Sequence, residues 1–221
     1  MKHHEDSILI RRADPRDAES LAHLHFNCAL AQPGGFMHRL GQKFFVKYYQ
    51  ILLGEHMTVI LCADAGRDGI VGLVSATLDS KRQLDAIRKG RFKLLLAVIP
   101  VLIRRPSLIW EIYVRNRSLS ARSPGDEYVV SSGARIAYWG WLPSYRSHGQ
   151  STSLIKEVLR SLETLGASTV RLETDRLNRQ VEVVHRLMGA RVVKVLVTRD
   201  GRERIVLEYG LSPPVTRIPT R

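Results

Sequence analysis

Apolar residues recur along this chain at two spacings, and each switch between them marks an element. Ser7 to Arg12 reads as a first strand. Asp14-Pro15 then opens a helix, with aspartate as cap and proline in its first turn, and Leu21, Leu24 and Ala29 on its apolar side before Pro33-Gly34-Gly35. Leu40 to Leu53 predicts a second helix, with Phe44, Tyr48 and Ile51 at helical spacing and Gly54 as its stop. The runs Thr58 to Ala63 and Ile70 to Leu78 flank a turn-rich connection and predict an antiparallel hairpin.

Next, Lys81 to Leu96 and Ser107 to Arg117 predict helices interrupted by Pro100 and Pro106, with a loop over Ser118 to Gly125. Strand Ala134 to Leu142, helix Ser151 to Leu165 closed by Gly166, strand Thr169 to Thr174 and helix Asn178 to Met188 ended by Gly189 complete an α/β stretch. Arg191 to Val197 and Arg204 to Tyr209 form a last hairpin around Asp200-Gly201. The order predicts one α/β domain of the α+β type over residues 7–211, a mixed, mostly antiparallel central sheet flanked by helices. A basic helical segment interrupts it at 80–125, and loose termini lie at 1–6 and 212–221.

At 221 residues, 44% hydrophobic and 25% charged, the chain can bury a full core. Cys28 and Cys62 each sit among apolar neighbours, which predicts buried thiols and a reducing, cytoplasmic setting. The start, Met1 to Asp6, has no apolar leader character. The longest apolar run, Leu94 to Ile103, is too short to span a bilayer and contains Pro100.

The net charge of +13 is unevenly placed: residues 81–122 carry eleven Lys and Arg against only Asp85 and Glu111. Such a patch suits cofactor phosphates, an acidic lipid surface or nucleic acid, or else is a solubilising face. No helix-turn-helix, zinc or RNA-binding signature accompanies it, so a specific nucleic-acid partner is not expected.

Chemistry concentrates at the polar turn Tyr145-Arg146-Ser147-His148-Gly149-Gln150-Ser151, between an apolar strand and an apolar helix. Such a turn aims free backbone N–H groups at one spot, at the positive end of a helix dipole, which suits a phosphate.

These residues resemble the GNAT superfamily of acyl-CoA N-acyltransferases. That family's central signature, Arg or Gln, two residues, Gly, one residue, then Gly or Ala after a strand, stands here as Arg146, Gly149 and Ser151 following Trp141-Leu142-Pro143. Its second motif, an asparagine followed by an alanine, a tyrosine and a Gly-Phe pair, stands as Asn178, Val181, His185, Gly189 and Ala190. The resemblance implies acetyl-CoA as co-substrate and a primary amine of a small molecule, amino sugar or peptide as acceptor, joined by direct transfer in a ternary complex. It assigns the pyrophosphate to the backbone of Arg146, Ser147, His148, Gly149, Gln150 and Ser151. It assigns the pantetheine arm to the main chain of Trp141 and Leu142 as an added strand, with Asn178 bonding the arm or fixing its loop.

Glu173, in a Leu-Glu-Thr strand and twelve residues before His185, matches the general base of ribosomal-protein alanine acetyltransferases, and His185 the acid. Each also has a plain reading: Glu173 as a salt-bridged strand glutamate beside Arg171 or Arg135, and His185 as a packing residue. His185 replaces the usual tyrosine and Arg135 an acidic residue of the fourth strand, so a CoA-binding relative without turnover stays open. For the basic segment, the alternatives are a lid or acceptor site using Trp110, Tyr113 and Arg115, a helix lying on an anionic membrane with Leu94 to Ile103 among the headgroups, and a self-association surface. Homodimers are frequent among such relatives.

Overall fold

A computed structural model describes residues 8–30, 36–120, 132–148, 150–197 and 203–211, without the side chains of 114–120 and 146–148. The predicted loop at 118–125, the Asp200-Gly201 turn, both termini and Gly149 therefore fall wholly or largely outside the described residues.

Among the described residues seven strands form one sheet in the order β1-β2-β3-β4-β5-β7-β6. They are β1 (Leu9–Arg12), β2 (Thr58–Asp64), β3 (Ile70–Thr77), β4 (Ala134–Trp141), β5 (Thr169–Asp175), β6 (Arg191–Val197) and β7 (Glu203–Gly210). Only β4 and β5 pair in parallel; every other neighbouring pair is antiparallel. The predicted mixed, mostly antiparallel sheet is therefore present.

Helices α1 (Ala18–Leu30) and α2 (Gln42–Leu53) cover one face. Helices α6 (Gln150–Thr164) and α7 (Arg179–Leu187) lie against the other. Strand alternation divides the core between them: Val59, Leu61 and Ala63 of β2 turn to the α6 face, Ile60 and Cys62 to the α1 face. Asp14 caps a short 3-10 turn before α1, accepting from the Arg16 N–H, and Asp17 reaches back to the Asp14 N–H. Arg11 ties this corner to the sheet by bonds to Asp17 and Asp64. Both cysteines are buried outside any disulfide, and burial pushes Cys62 up to about 11.

Two sequence expectations change. The buried side of α2 is Phe45, Tyr49 and Leu52, one residue on from the predicted stripe. The helix is covered on two sides, so Phe44, Tyr48 and Ile51 meet other neighbours at the flank. Between β3 and β4 the chain forms α3 (Ser80–Lys89), α4 (Arg91–Arg104) and α5 (Ser107–Ser120). The first break falls at Gly90, and Pro100 sits inside α4. A Cβ at Gly90 would overlap the Ile51 side chain, so the α3–α4 corner lies directly on α2. Pro100 is tolerated because α4 is anchored on both sides of it: Leu94 and Val98 are buried, and Val101 packs beside Gly41. Arg39 and Glu111, 2.6 Å apart, hold α5 to the turn before α2.

Candidate functional site

The sheet opens in its middle. β4 pairs with β5 only from Ala134 to Ile136, opposite Val170 to Leu172, and beyond that the two strands run on without pairing to each other. The parting coincides with a bulge: Ser75 of β3 faces Tyr138 and Ala76 faces Ile136, leaving Ala137 as an extra residue in β4. A bulge bends its strand, and here it bends β4 where it leaves β5. The result is a wedge between neighbouring strands.

Main-chain groups line that wedge. Leu142 donates its N–H to Val71 O (2.9 Å) and accepts from Tyr145 N (3.0 Å), so both its backbone groups are engaged inside the protein. Backbone groups alternate sides along a strand, so those of Trp139 and Trp141 face the open side. Of the two residues that the resemblance implied for an added strand, Trp141 presents its main chain to the open side, as Trp139 does, and Leu142 turns its own inward. Trp141 is fixed by its indole, which donates to Tyr145 O at 2.9 Å and lies flat where a Gly72 side chain would be.

At the mouth of the wedge the chain makes a 3-10 turn, Pro143–His148, and enters α6 at Gln150. The tight turn puts the backbone of Arg146, Ser147 and His148 ahead of the first turn of α6, which carries Gln150 and Ser151 and no acidic side chain. Gly149 and the side chains of Arg146, Ser147 and His148 lie outside the described residues. Tyr145 hydrogen-bonds Asp68, tying this turn to the β2–β3 connection.

The two sequence-predicted catalytic side chains occupy opposite faces of the sheet. His185 of α7 is buried beside Trp139, with ring centroids 5.6 Å apart. Its Nδ1 lies 2.6 Å from the Tyr209 hydroxyl. Burial pulls His185 down to about 4 and pushes the Tyr209 hydroxyl above its ordinary range, so both are neutral near pH 7. Glu173 of β5 belongs to the α1–α2 face, with Arg204 at 3.3 Å and Arg135 close enough to feel its charge. Arg135, in turn, donates to Gln83 Oε1 at 2.8 Å. Arg171, the other partner weighed for Glu173, pairs with Glu208 instead.

Beside Glu173's face stands an aromatic cluster that sequence reasoning missed. His25 stacks on Tyr138, centroids 3.5 Å apart, and shares a 2.8 Å hydrogen bond with Tyr49. Burial takes His25 down to about 3. Ser75 Oγ of β3 and Trp139 Nε1 of β4 are buried without a hydrogen-bond partner among the described residues. Asn178 precedes α7, with its N–H on Asp175 O (2.8 Å) and its side chain making no capping bond. Among the described residues, no group of three or more His, Cys, Asp and Glu could hold a metal ion.

A sheet parted between a bulged β4 and β5, with a helix N-terminus at the mouth, defines the GNAT architecture, and the chain has that fold. It is similar over 94% of its length to NAA60 of Arabidopsis thaliana in complex with a bisubstrate analogue (TM-score 0.55, 17% identity, 99% of that chain covered). It is also similar to an N-acetyltransferase from Staphylococcus aureus Mu50 (TM-score 0.58, 15% identity, 91% of this chain and 100% of that one). The ribosomal-protein-S18-alanine N-acetyltransferase from Escherichia coli aligns as well (TM-score 0.54, 13% identity, 96% and 99%). No protein-family model matches the sequence, and no curated protein does.

Proposed function

We propose that this protein is an acetyl-CoA-dependent N-acetyltransferase that moves an acetyl group to a primary amine of a small molecule, amino sugar or peptide. The observation that carries this is the parted sheet: unpaired main-chain groups on Trp139 and Trp141 beside a turn leading into a helix N-terminus. An extended amide-bearing arm satisfies the first and a diphosphate the second. The orphaned Trp139 Nε1 agrees with a polar molecule lying beside β4.

The backbone of residues 146–151 then receives the diphosphate, and Trp141, Trp139 and Asn178 the pantetheine. The amine approaches from the α1–α2 face. Glu173 accepts its proton through a water, and Arg204 holds the carboxylate in position. The amine nitrogen bonds the thioester carbon, the C–S bond breaks, and the sulfur leaves as a thiolate. His185, neutral at pH 7, is no source of a full proton. It offers a ring N–H, and the Tyr209 hydroxyl, 2.6 Å from Nδ1, selects which ring nitrogen carries that proton. A thiol of pKa about 8.5 leaves without strong acid help.

The test is release of free thiol from acetyl-CoA against amino sugars, polyamines, aminoglycosides and N-terminal peptides. Turnover with one class fixes the acceptor. Acetyl-CoA that raises the melting temperature without turnover on any amine would favour a CoA-binding protein instead. Neither effect would sink the reading.

A further inference from the structure

Helix α4 is apolar on two opposite sides. Leu94, Val98 and Val101 point toward α2. At about 100° per residue, Phe92, Leu95, Leu96, Ile99 and Ile103 fall within a second arc of about 100° centred on the reverse side. All five are exposed, Leu96 at 67% and Ile103 at 77%. Arg91 and Lys93 sit at the two margins of this arc, and Arg91 lies over the Phe92 ring. Exposed Arg88 and Lys89 precede the helix, and Arg104 and Arg105 follow its apolar face. The two acids of the segment are already engaged, Asp85 with Arg88 and Glu111 with Arg39. On α5, Trp110 and Tyr113 stack in the open, ring centroids 5.6 Å apart and both more than half exposed.

A helix anchored by one face while presenting a second apolar face between cations is built for a surface that is negative outside and apolar just beneath. We propose that α4 and α5 dock the protein on an anionic lipid bilayer. Phe92, Leu95, Leu96, Ile99 and Ile103 enter the headgroup boundary and the flanking Arg and Lys meet lipid phosphates. Trp110 and Tyr113 have the chemistry of interfacial anchors. Among the described residues no helix is long and apolar enough to cross a membrane, so the contact lies in the interface plane. This inference does not depend on the acetyl-transfer reading, and its test measures no catalysis.

The experiment is co-sedimentation of the full chain with phosphatidylcholine vesicles, with and without phosphatidylglycerol. Binding about tenfold or more tighter to the anionic vesicles, weakened by salt, is expected. Leu96→Ser with Ile103→Ser should weaken it about tenfold or more while leaving the circular dichroism and thermal midpoint unchanged, because both side chains are exposed. Trp110 fluorescence should shift to the blue on vesicles, and the added shift should vanish in Trp110→Phe. Failure to bind anionic vesicles at low salt overturns the proposal. So does binding that the double serine variant leaves intact, or a solution dimer that the same variant splits, which would mark the face as a contact between copies. Retention on DNA without retention on vesicles overturns it too.

Discussion

His25 and His185 are buried imidazoles with folded pKa values near 3 and 4, against 6.5 in the unfolded chain. Each stays neutral in the fold and takes up a proton on unfolding in mild acid. A lowered folded value means that the stability is present above pH 6.5 and is lost as pH falls toward 4 and then 3. From pH 6.5 to about pH 5, each unfolded imidazole gains a proton over most of the interval at about 1.4 kcal/mol per pH unit. That is a loss of about 1.6 kcal/mol per histidine, or about 3 kcal/mol for both. Urea unfolding followed from pH 8 to about pH 5 measures it directly. His185→Asn and His25→Asn keep a polar group near the Tyr209 and Tyr49 hydroxyls and remove the titration. Each should flatten the pH dependence by about half, and the double variant should show little slope above pH 5. A wild-type slope that survives in the double variant would refute the placement of both rings as neutral core groups. It would also reopen His185 as a proton-loaded acid at physiological pH.

Glu173→Gln should lower acetyl transfer by about 10²-fold or more; wild-type rates across pH would end the base assignment. Gly149→Trp fills the turn assigned to the diphosphate, and unchanged acetyl-CoA binding by calorimetry would remove that assignment. Gly72→Ala drives a methyl into the Trp141 ring and should cost about 1–3 kcal/mol in urea unfolding, with acetyl-CoA affinity falling as β4 shifts. Tyr209→Phe should leave His185 without its 2.6 Å partner and cost about 1 kcal/mol, read from the same denaturation curves.

Most elements were legible because period and punctuation agreed. Asp14-Pro15 capped where expected, and β6 runs from Arg191 to Val197 as the sequence predicted. The misses share a cause. A helix covered on two sides hides which apolar stripe faces the sheet, as α2 did with Phe45, Tyr49 and Leu52. Pro100 looked like the break because its cost is local, whereas Gly90 breaks the helix through a contact with Ile51, nearly forty residues away. At the site, the Glu173–His185 interval was visible but their separation onto two faces was not, since one is set by strand parity and the other by the rotation of α7. The placements of Trp139 and Tyr209 depend on pairings across β4 and β7 that no local pattern reports.

The surplus residue in β4 has a consequence for how this chain tolerates change. Excising Ala137 would leave Ile136 and Tyr138 as consecutive partners of Ala76 and Ser75, and every later side chain would keep its present orientation. The apolar-polar alternation of the strand would not register the loss. Yet the bulge that coincides with the parting of β4 from β5 would be gone. A deletion at Ala137 would thus change the register of β4 and not the chemistry of its remaining side chains.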